Sequence, residues 1–454
     1  MYAMASLWFE SALLPQGWAR DVRLTASDGR IERVQTGITP AAGDERHGIA
    51  LPGLGNLHSH AFQRGLAGLT ERRGREADSF WTWRELMYRF VERLDPEQLE
   101  ALSAFAFIDM LEAGFTHVGE FHYLHHDRDG TPFADPGELA SRVAAAAAST
   151  GIGLTLLPTL YAHGGFGGGA PAQRQRRFIN DPEGFARIVE ASRRAVAAVP
   201  FGHVGVAAHS LRAVTPEELA AVIRLADGGV IHLHIAEQLR EVEECRQWCG
   251  ASPVAWLLES APVDERWCLV HATHATEGEL HGIAARGAVV GLCPVTEANL
   301  GDGIFPAAAF LSARGRIGVG SDSNVRVDAA EELRTLEYSQ RLAHRARNVL
   351  AAPGASTGRT LFDAALAGGR QALGQPATGL TAGAPLDVVT LAADQPQLLG
   401  RAQDQLLDSW IFCGGRELID CVWRAGVKVV SGGCHRDRAA IEGRYARALR
   451  GLLA

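Results

Sequence analysis

The amino-acid sequence predicts an α/β fold in which a (β/α)8 TIM barrel is joined to a small β-sandwich domain built from both chain termini. From Leu51 onward, apolar strand-like runs alternate with amphipathic helical stretches, the pattern of a parallel sheet with crossover helices. Four of these runs end in His or Asp, and a barrel gathers such side chains at the carboxyl ends of its strands. We therefore expect the sandwich, with a C-terminal helix, at 1–50 and 384–454, and the barrel at 51–383.

The composition excludes several classes of partner. The chain has 454 residues, of which 47% are hydrophobic and 21% charged, as in an ordinary globular enzyme. A formal net charge of −8 predicts no nucleic-acid surface, and no apolar run reaches the ~18 residues that suggest a membrane span. The seven cysteines are scattered, and the N-terminus lacks a basic signal region, so we expect a reducing cytoplasm. A small-molecule substrate and a homodimer are the expected partners.

The two chain ends carry the strand-like runs of the predicted sandwich. Near the N-terminus, LWFESALLP, DVRLTA and RIERVQT alternate apolar and polar residues, with turn sequences SDG and AAGD. After Gly383 the strand character returns in LDVVTLA, SWIFCG and IDCVWRAGVKVVSGG. Because the termini of a domain often lie close together, we expect these runs to pair with those of the N-terminus.

Eight apolar runs between the two ends are predicted to be the barrel strands. Each is short and is followed by a helical stretch, as buried parallel strands are. In chain order the strands are centred on Leu54–His58, His117–Phe121, Leu154–Pro158, Val204–His209, Val230–Ile235, Cys268–His271, Ala288–Cys293 and Ile317–Ser321.

The helices between these strands begin at recognisable capping residues. DPEQLEALSAFAFIDMLEAG starts with Asp95 as the N-cap and Pro96 in the first turn, and it ends at a glycine. TPEELAAVIRLADG begins in the same way at Thr215. TEGELHGIAARG has the capping-box spacing from Thr276 to Glu279. The alternation of strands with capped helices is the order that a barrel requires.

His58 and His60 end the first predicted strand, in LPGLGNLHSH. Residues two apart on a strand point to the same face, so the two imidazoles can hold one ion. Such a pair also arises by chance among surface histidines. Here the apolar residues before it bury the strand, and a buried imidazole needs a partner, which a metal ion would be.

His234 ends the fifth predicted strand, in VIHLHIAE, and Glu237 follows three residues later. A carboxylate next to a metal ligand suits proton transfer. Two alternatives stand beside this interpretation. His232 competes with His234 as the ligand, and Glu237 could instead interact with the dipole of the following helix. We favour His234 because it lies nearer the strand end, and we assign Glu237 to catalysis.

His271 ends the sixth predicted strand, in WCLVHATH, and Asp322 ends the eighth, in IGVGSDS. His271 is either a further ligand or an electrophile beside the ion, and His274 competes with it from the following loop. Asp322 could cap the next helix, but Asp328 stands directly before AAEELRTLEYSQ and suits that role better. Asp322 is therefore assigned to the chemistry.

Three histidines and an aspartate suit Zn²⁺ or a similar borderline ion, Fe²⁺ included. At the functional face of a barrel, at least one coordination position must hold water, and zinc lowers the pKa of bound water to about 7. The pattern therefore predicts a hydrolase with a catalytic metal ion.

Two further segments are expected at the rim of the pocket. The histidine-rich HYLHHD at 122–127 follows the second strand. On its own it could bind metal, but we expect a rim loop and keep only Tyr123 from it as a substrate-binding candidate. The glycine-rich HGGFGGGAP at 163–171 follows the third strand. It has too much glycine for a packed element, so it is either a mobile active-site loop or an ordinary solvent loop, and we favour the first because it lies at a strand end.

With these residues in place, the whole chain resembles the amidohydrolase superfamily, whose members carry His-x-His on strand 1, His on strands 5 and 6, and Asp on strand 8. Many members bridge two metal ions with a carbamylated lysine on strand 4, but the only lysine here is Lys428, in the terminal domain. HIAE matches the mononuclear deaminase branch. The resemblance implies proton transfer and polarisation by Glu237, His271 and Asp322, and one zinc ion bound by His58, His60, His234 and Asp322.

Within that branch the chain is similar to the N-formimino-L-glutamate deiminase family. The similar segments are HSHAFQRGLAGL (58–69), FWTWRELMY (80–88), EFHYLHHD (120–127), AAHSLRAVT (207–215) and GSDSNVRVD (320–328). The resemblance implies hydrolysis of N-formimino-L-glutamate to N-formyl-L-glutamate and ammonia, a step of histidine degradation.

A pocket for this dicarboxylate needs cations at two places. Arg212 follows the fourth strand in AHSLRAV, where it can hold a carboxylate through two hydrogen bonds. Arg84, after the first strand, could take the second carboxylate. Most arginines of a chain are solvated surface charges, and these two are chosen for their positions in strand-end motifs. Additional hydrogen bonds to the substrate are expected from Gln63, Tyr123 and His209.

Two other functions compete with this one. A deaminase of a heterocycle such as guanine, cytosine or an adenosine derivative would use the same ion and Glu237, and Trp81 and Trp83 could stack on its base. A catalytically inactive barrel that serves as an assembly scaffold is the third reading. Such proteins usually lose metal ligands, whereas this chain keeps all of them.

Overall fold

The computed structural model describes residues 5–73, 78–376 and 379–454, so residues 1–4 of the predicted sandwich lie outside the described part. In chain order the strands are β1 Ala5–Leu14, β2 Gly17–Ser27, β3 Arg30–Gln35, β4 Glu45–Pro52, β5 Leu54–Ser59, β6 Phe115–His122, β7 Gly153–Leu160, β8 His203–Val204, β9 Val206–Ser210, β10 Ile231–Ile235, β11 Trp267–His271, β12 Val289–Leu292, β13 Arg316–Val319, β14 Val388–Leu391, β15 Ile419–Arg424, β16 Val427–Ser431 and β17 Cys434–His435.

The α-helices are α1 Phe80–Val91, α2 Pro96–Glu112, α3 Glu138–Thr150, α4 Pro182–Val196, α5 Pro216–Leu225, α6 Leu239–Cys249, α7 Pro253–Ser260, α8 Glu277–Arg286, α9 Pro294–Leu300, α10 Ala307–Ser312, α11 Ala329–His344, α12 Thr357–Ala372, α13 Asp404–Cys413 and α14 Arg438–Leu453. Short 3-10 helices lie at Ala61–Leu66, Gln173–Gln175 and Arg416–Leu418. The described residues contain no helix that combines the length and apolar character needed to cross a bilayer.

Parallel strands form the barrel in the spatial order β5-β6-β7-β9-β10-β11-β12-β13. The first and last strands meet through backbone hydrogen bonds at the carboxyl end of the barrel. Asp322 N donates to the His58 carbonyl at 3.0 Å, and His60 N donates to the Asp322 carbonyl at 2.9 Å. The segments that carry three predicted metal ligands therefore also close the barrel.

The fourth barrel strand departs from the prediction, because the run expected as one strand is divided into β8 and β9 at Gly205. Gly205 N donates to the Leu156 carbonyl at 3.0 Å, and the next amide, of Val206, donates to the Val230 carbonyl at 3.0 Å. The chain therefore changes hydrogen-bonding partner at this position. A Cβ on Gly205 would lie 2.6 Å from a methyl carbon of Val230, so only glycine fits.

The end of α12 closes the floor of the barrel. Thr155 Oγ1 donates to the Leu373 carbonyl at 2.8 Å, and His232 Nε2 donates to the Ala372 carbonyl at 2.8 Å, so barrel side chains satisfy carbonyls at the helix end. Glycines let the helix approach closely: a Cβ on Gly119 of β6 would lie 2.7 Å from the Leu373 side chain. The floor is therefore a packed structural layer, and the chemistry is left to the opposite end.

Replacing Gly368 with alanine should destabilise the protein, because a Cβ at this position of α12 would overlap the Ile317 carbonyl of β13. We expect a loss of about 2–3 kcal/mol in the free energy of unfolding, measured by urea denaturation. Gly278 of α8 is the matched control, since a Cβ there meets nothing within 4 Å. Its replacement by alanine should be neutral or stabilising by up to about 1 kcal/mol. Equal effects of the two substitutions would contradict the proposed packing.

Strands from both chain ends form one sheet in the order β17-β16-β15-β14-β4-β1-β2-β3. The two ends pair directly, since β14 lies antiparallel to β4. Apolar side chains of both ends, among them Phe9, Leu24 and Trp423, share one buried cluster. The predicted fold class, a (β/α)8 barrel with a small β domain from the two termini, is confirmed. The division at 1–50, 51–383 and 384–454 stays a prediction; β4 extends to Pro52.

One predicted strand is wrong. The run SWIFCG belongs to α13 and pairs with no strand. Its apolar residues continue a helical periodicity that begins upstream, because Leu406, Leu407, Trp410 and Ile411 are all buried. Trp410 packs against Phe362 of α12 with their ring centroids 6.1 Å apart. Helical spacing over the longer window therefore outweighs the strand propensity of the short run.

The predicted helix caps are confirmed. Asp95 Oδ1 accepts a hydrogen bond from Gln98 N at 2.7 Å, at the start of α2. Thr215 and Thr276 have the same role for α5 and α8, each with a glutamate three residues later that completes a capping box. Asp328 caps α11 by accepting hydrogen bonds from Ala330 N and Glu331 N, as expected, which leaves Asp322 outside any cap.

Candidate active site

Four predicted ligands converge at the carboxyl end of the barrel. Their candidate ligand atoms all lie within 4.8 Å of one another, and all four residues are buried. His58 Nε2 lies 3.2 Å from His60 Nε2 and 3.0 Å from His234 Nε2. Asp322 Oδ1 lies 3.4 Å from His58 Nε2 and 3.3 Å from His60 Nε2. Three nitrogens and one oxygen thus face a common centre.

The chemistry of this cluster fits a metal ion. A tetrahedral ion with bonds of about 2.05 Å holds its ligand atoms about 3.3 Å apart, close to the distances seen here. Two imidazoles are oriented from behind: His60 Nδ1 donates to the Phe121 carbonyl at 3.0 Å, and His234 Nδ1 donates to the His209 carbonyl at 2.9 Å. These bonds leave each Nε2 with a lone pair directed at the centre.

Burial keeps the three imidazoles neutral. It lowers the pKa of His58 and of His234 well below the usual value for histidine, and it lowers that of His60 too, although Asp322 opposes the shift. Neutral imidazoles are the form that binds metal, whereas three protonated rings at these distances would repel one another. The site therefore combines the geometry and the protonation state of a metal centre.

A hydrogen-bonded network that sequence reasoning missed holds Asp322 in place. Asp322 has a φ of +44°, a left-handed conformation unusual for aspartate and frequent at functional sites. The Asn324 side chain donates to the Asp322 carbonyl at 3.0 Å and to the His60 carbonyl at 3.1 Å. Ser321 Oγ donates to Asn324 Oδ1 and accepts from Asn56 Nδ2, both at 2.6 Å. The polar sequence SDSN, unusual next to a buried strand, was the available signal.

Glu237 and His271 lie beside the metal cluster as an acid–base pair. Glu237 Oε1 is 3.8 Å from His271 Nε2, which is 3.9 Å from Asp322 Oδ2. Burial raises the pKa of Glu237 to about 7, and the charges of His271 and Arg212 oppose this rise. Burial alone would lower the pKa of His271, but Glu237 and the neighbouring carboxylates raise it to about 10. Carboxyl and imidazolium groups with such shifts are typical of proton-transfer sites.

Glu297, which sequence reasoning missed, orients His271. The His271 Nδ1 atom lies 3.2 Å from Glu297 Oε1, which also accepts a hydrogen bond from Cys293 N at 2.9 Å. This contact turns Nε2 of the imidazole toward Glu237 and Asp322. A glutamate in the first turn of α9, directly after β12, was the only signal in the sequence, and it looks like an ordinary helix-start residue.

The predicted substrate-binding residues line the same pocket as the cluster. Gln63, Arg84, Tyr123, His209 and Arg212 all face it, together with His60, His234, Glu237, His271 and Asp322, while His58 lies behind them. Trp83, named from the sequence only as a base-stacking candidate of the competing function, also lines it, and pocket residues that sequence reasoning missed are Met87, Tyr88, Tyr161 and Phe178. Tyr161 stands directly after β7 in TLYAH, so its position at a strand end was a usable signal.

Hydrogen bonds already hold several of these side chains. Gln63 Nε2 donates to the Tyr123 hydroxyl at 3.0 Å, and Tyr123 packs edge-on against His60 with ring centroids 5.1 Å apart. Arg212 is 8% exposed and lies 3.9 Å from Glu241, but its Nη1 has no hydrogen-bond partner among the described residues. Arg84 Nε is likewise buried without one. Two guanidinium groups, each with a buried and unused donor, are suited to carboxylate ligands.

The competing histidines have other roles. His232 points to the barrel floor and donates to Ala372, so it cannot join the cluster. His125 and His126 bind the carbonyls of Thr159 and Ile179, which makes HYLHHD a packed rim segment. Lys428 pairs with Glu45 and lies on a strand of the terminal sheet, outside the barrel strands. Within the described residues, His274 belongs to no group of metal-ligand atoms.

The glycine-rich segment at 163–171 lies over the pocket, as expected. Gly164 lines it, and a short antiparallel bridge joins Gly165 to Gly169. Phe166 stacks on Trp248 of α6, with centroids 5.6 Å apart. The position of the loop agrees with the prediction; its mobility stays a prediction.

The comparisons with known proteins agree with this site. The chain matches the Amidohydrolase family over residues 49–428 and the "Formimidoylglutamate deiminase HutF, N-terminal domain" over residues 4–48. A formimidoylglutamate deiminase of Pseudomonas aeruginosa is 51% identical over 449 residues, covering 98% of each chain. A 5-methylthioadenosine/S-adenosylhomocysteine deaminase of Natronomonas pharaonis is 28% identical, covering 85% of this chain and 83% of the relative.

A solved structure extends the similarity to the whole fold. The crystal structure of an amidohydrolase from Brucella melitensis is 53% identical, with a TM-score of 0.96, and covers 99% of this chain and 100% of its own. The family is metal-dependent, in keeping with the buried His/Asp cluster. The expected resemblance is confirmed: the chain belongs to the amidohydrolase family and, within it, to the formimidoylglutamate deiminases.

Proposed function

We propose that the protein hydrolyses N-formimino-L-glutamate to N-formyl-L-glutamate and ammonia, as a step of histidine degradation. The observation that carries this proposal is the 51% identity, over 98% of both chains, to a relative named formimidoylglutamate deiminase. The pocket supports it, because Arg84 and Arg212 offer unused guanidinium donors beside the metal cluster. The enzyme is therefore a hydrolase that acts on a C–N bond of a linear amidine.

The proposed cofactor is one Zn²⁺ per chain, held by His58, His60, His234 and Asp322. Three imidazoles and a carboxylate suit zinc, and Fe²⁺ is the alternative that elemental analysis would reveal. When bound, such an ion supplies a nucleophile from water and stabilises negative charge in the transition state.

Three side chains, Asp322, His271 and Glu237, carry out the proton transfers and stabilise the developing charge. Asp322 turns Oδ1 to the ligand cluster and Oδ2 toward His271, so Oδ2 is placed to accept the proton of the attacking water. His271, held by Glu297, stabilises the negative charge that develops on the atoms bonded to the formimino carbon when water attacks it. Glu237, partly protonated near neutral pH, protonates the imino nitrogen. It then takes the hydroxyl proton of the tetrahedral adduct and passes it to the leaving amine, and the proton held by Asp322 restores Glu237 for the next cycle. The C–N bond to that nitrogen breaks, ammonia leaves, and the formyl group stays on glutamate.

Replacing Arg212 with glutamine should raise KM about 100-fold with a smaller effect on kcat, because a buried guanidinium that pairs with a substrate carboxylate is lost. Steady-state assays of ammonia release from formiminoglutamate measure both constants. Arg224 of α5, which is exposed, provides the control, and its replacement by glutamine should change neither. An unchanged KM in the Arg212 variant would place the carboxylates elsewhere.

The competing activity, deamination of a heterocycle, has less support. Relatives named as deaminases of adenosine derivatives are about half as identical as the formimidoylglutamate deiminase, at 28%. Trp81, a candidate for base stacking, already has the guanidinium groups of Arg84 and Arg240 over its ring, at 4.5 and 4.4 Å from the centroid. A side-by-side assay of formiminoglutamate and guanine tests the choice, and turnover of guanine alone by zinc-loaded protein would overturn our proposal.

Two further properties belong to the proposal. All seven cysteines are free, which suits the reducing cytoplasm. We also propose a homodimer, the commonest assembly among enzymes, to be measured by light scattering after gel filtration. An inactive scaffold would bind no ion, so elemental analysis of the purified protein separates that reading from an enzyme.

A further inference from the structure

A second cavity lies directly outside the active-site pocket. This outer vestibule has a volume of about 450 Å³ and is lined by the glycine-rich loop and by one face of α6 along its length, with Trp81, Arg84, Arg212, Arg240, Glu244 and Trp248 among its residues. Arg84, Gly164 and Arg212 line both cavities, so the two adjoin across these residues. Nothing in the proposed chemistry uses the outer one.

Three guanidinium groups lie close to the indole ring of Trp81 in the outer vestibule. The Cζ atoms of Arg240, Arg84 and Arg212 lie 4.4, 4.5 and 5.8 Å from the centroid of its indole ring. Cations over an indole face are attracted by the ring quadrupole, which offsets part of their mutual repulsion. The three guanidinium groups around the indole therefore place positive charge both in the outer vestibule and at the edge of the active-site pocket.

The residues that line the outer vestibule carry a net positive charge. Glu244 is the carboxylate among the lining residues, and it pairs with Arg240 at 2.6 Å. The other two guanidinium groups retain unused donors, because Arg84 Nε and Arg212 Nη1 have no hydrogen-bond partner among the described residues. Arg212 is at the same time 8% exposed, so its orphan donor is nearly buried. Buried donors without a protein partner are suited to an anionic acceptor.

We propose that the outer vestibule is an anion-capture subsite, in which Arg240 and Arg84 bind one carboxylate of a dicarboxylate before it passes to Arg84 and Arg212 inside. The identity of the dicarboxylate rests on the proposed function; the capture of a small dianion does not. Arg240 attracts the approaching anion and, from its place over the same indole as Arg84, continues to stabilise the bound anion electrostatically without contacting the reacting carbon. It therefore acts on kcat/KM and leaves the chemical step alone.

The kinetic test compares Arg240→Gln with Arg246→Gln. Both arginines lie on α6, but Arg246 is exposed and does not line the vestibule. We expect Arg240→Gln to lower kcat/KM for formiminoglutamate about 10-fold at low ionic strength, with kcat within about twofold, and the difference should shrink as salt is added. Arg240→Glu should lower it further, and Arg246→Gln should behave as the unmodified protein. Equal kcat/KM for both glutamine variants would overturn the proposal.

A binding experiment separates this inference from the proposed reaction. Glutarate, a dicarboxylate without a formimino group, is titrated into zinc-loaded protein by calorimetry. We expect Arg240→Gln to weaken its binding at least about fivefold, with no change in Arg246→Gln. If the unmodified protein fails to hydrolyse formiminoglutamate but shows this pattern, the proposed function fails and the subsite stands. If glutarate binds the two variants equally, the subsite is wrong whatever the reaction.

Discussion

Replacing Glu237 with glutamine should lower kcat about 1,000-fold while the metal content of the protein stays at one ion per chain. The substitution keeps the size of the side chain but removes the group that releases and takes up a proton. Glu237 lies 3.8 Å from His271, and burial raises its pKa to about 7, so in the native protein both protonation states are accessible near neutral pH. Ammonia release and elemental analysis on the same sample measure the two quantities.

The matched control for this variant is Glu243→Gln. Glu243 is exposed on α6, six residues along the chain, and its replacement should leave both quantities unchanged. A Glu237→Gln protein that keeps more than a tenth of the native kcat would show that another group handles the proton, with Asp322 the next candidate. Loss of the metal as well would mean that Glu237 supports the metal centre itself.

Replacing His234 with alanine should remove the metal ion and, with it, about three orders of magnitude or more of activity. The cluster is small, and His234 Nε2 lies 3.0 Å from His58 Nε2, so its loss leaves one side of the site open to solvent. The ion supplies both the nucleophile and charge stabilisation, which no remaining side chain can replace. Elemental analysis after dialysis should find far less than one ion per chain.

His232 provides the sharpest control for this experiment, because it occupies the same strand two residues earlier. Its Nε2 donates to the Ala372 carbonyl at the barrel floor, 2.8 Å away. His232→Ala should therefore lower the free energy of unfolding by about 1–3 kcal/mol, since a buried carbonyl loses its partner, while folded protein still binds one ion. The opposite pattern, with metal lost in the His232 variant and kept in the His234 variant, would reverse the assignment of the ligand.

The sequence made the barrel and the candidate metal site predictable for two local reasons. Alternating strand-like runs and capped helices predict parallel strands whose carboxyl ends share one face, and the caps at Asp95, Thr215 and Thr276 are where they were expected. His-x-His on a strand presents both side chains to one face whatever surrounds it. Such regularities survive folding because they depend on the backbone geometry of single elements.

Other parts of the site depend on contacts between distant segments. Glu297 looks like an ordinary helix-start glutamate until α9 brings it to His271, and Asn324 takes its role only because the last strand closes on the first. Arg84 and Arg212 were predicted from their motifs, but packing alone decided that Arg240 of α6 meets Arg84 over Trp81. The run SWIFCG is a different case, because the helical spacing of Leu406, Leu407, Trp410 and Ile411 was already present in the sequence.

The amino-acid sequence by itself therefore determined the order of the elements, their starts, and the residue types at the ends of the strands, since each follows from periodicity and local capping. Tertiary structure alone decided the tautomers of His60 and His234, the raised pKa of Glu237 and the direction of His232 away from the ion. Those properties arise from burial and from partners far along the chain, and no pattern of neighbouring residues encodes the low-dielectric surroundings that produce them.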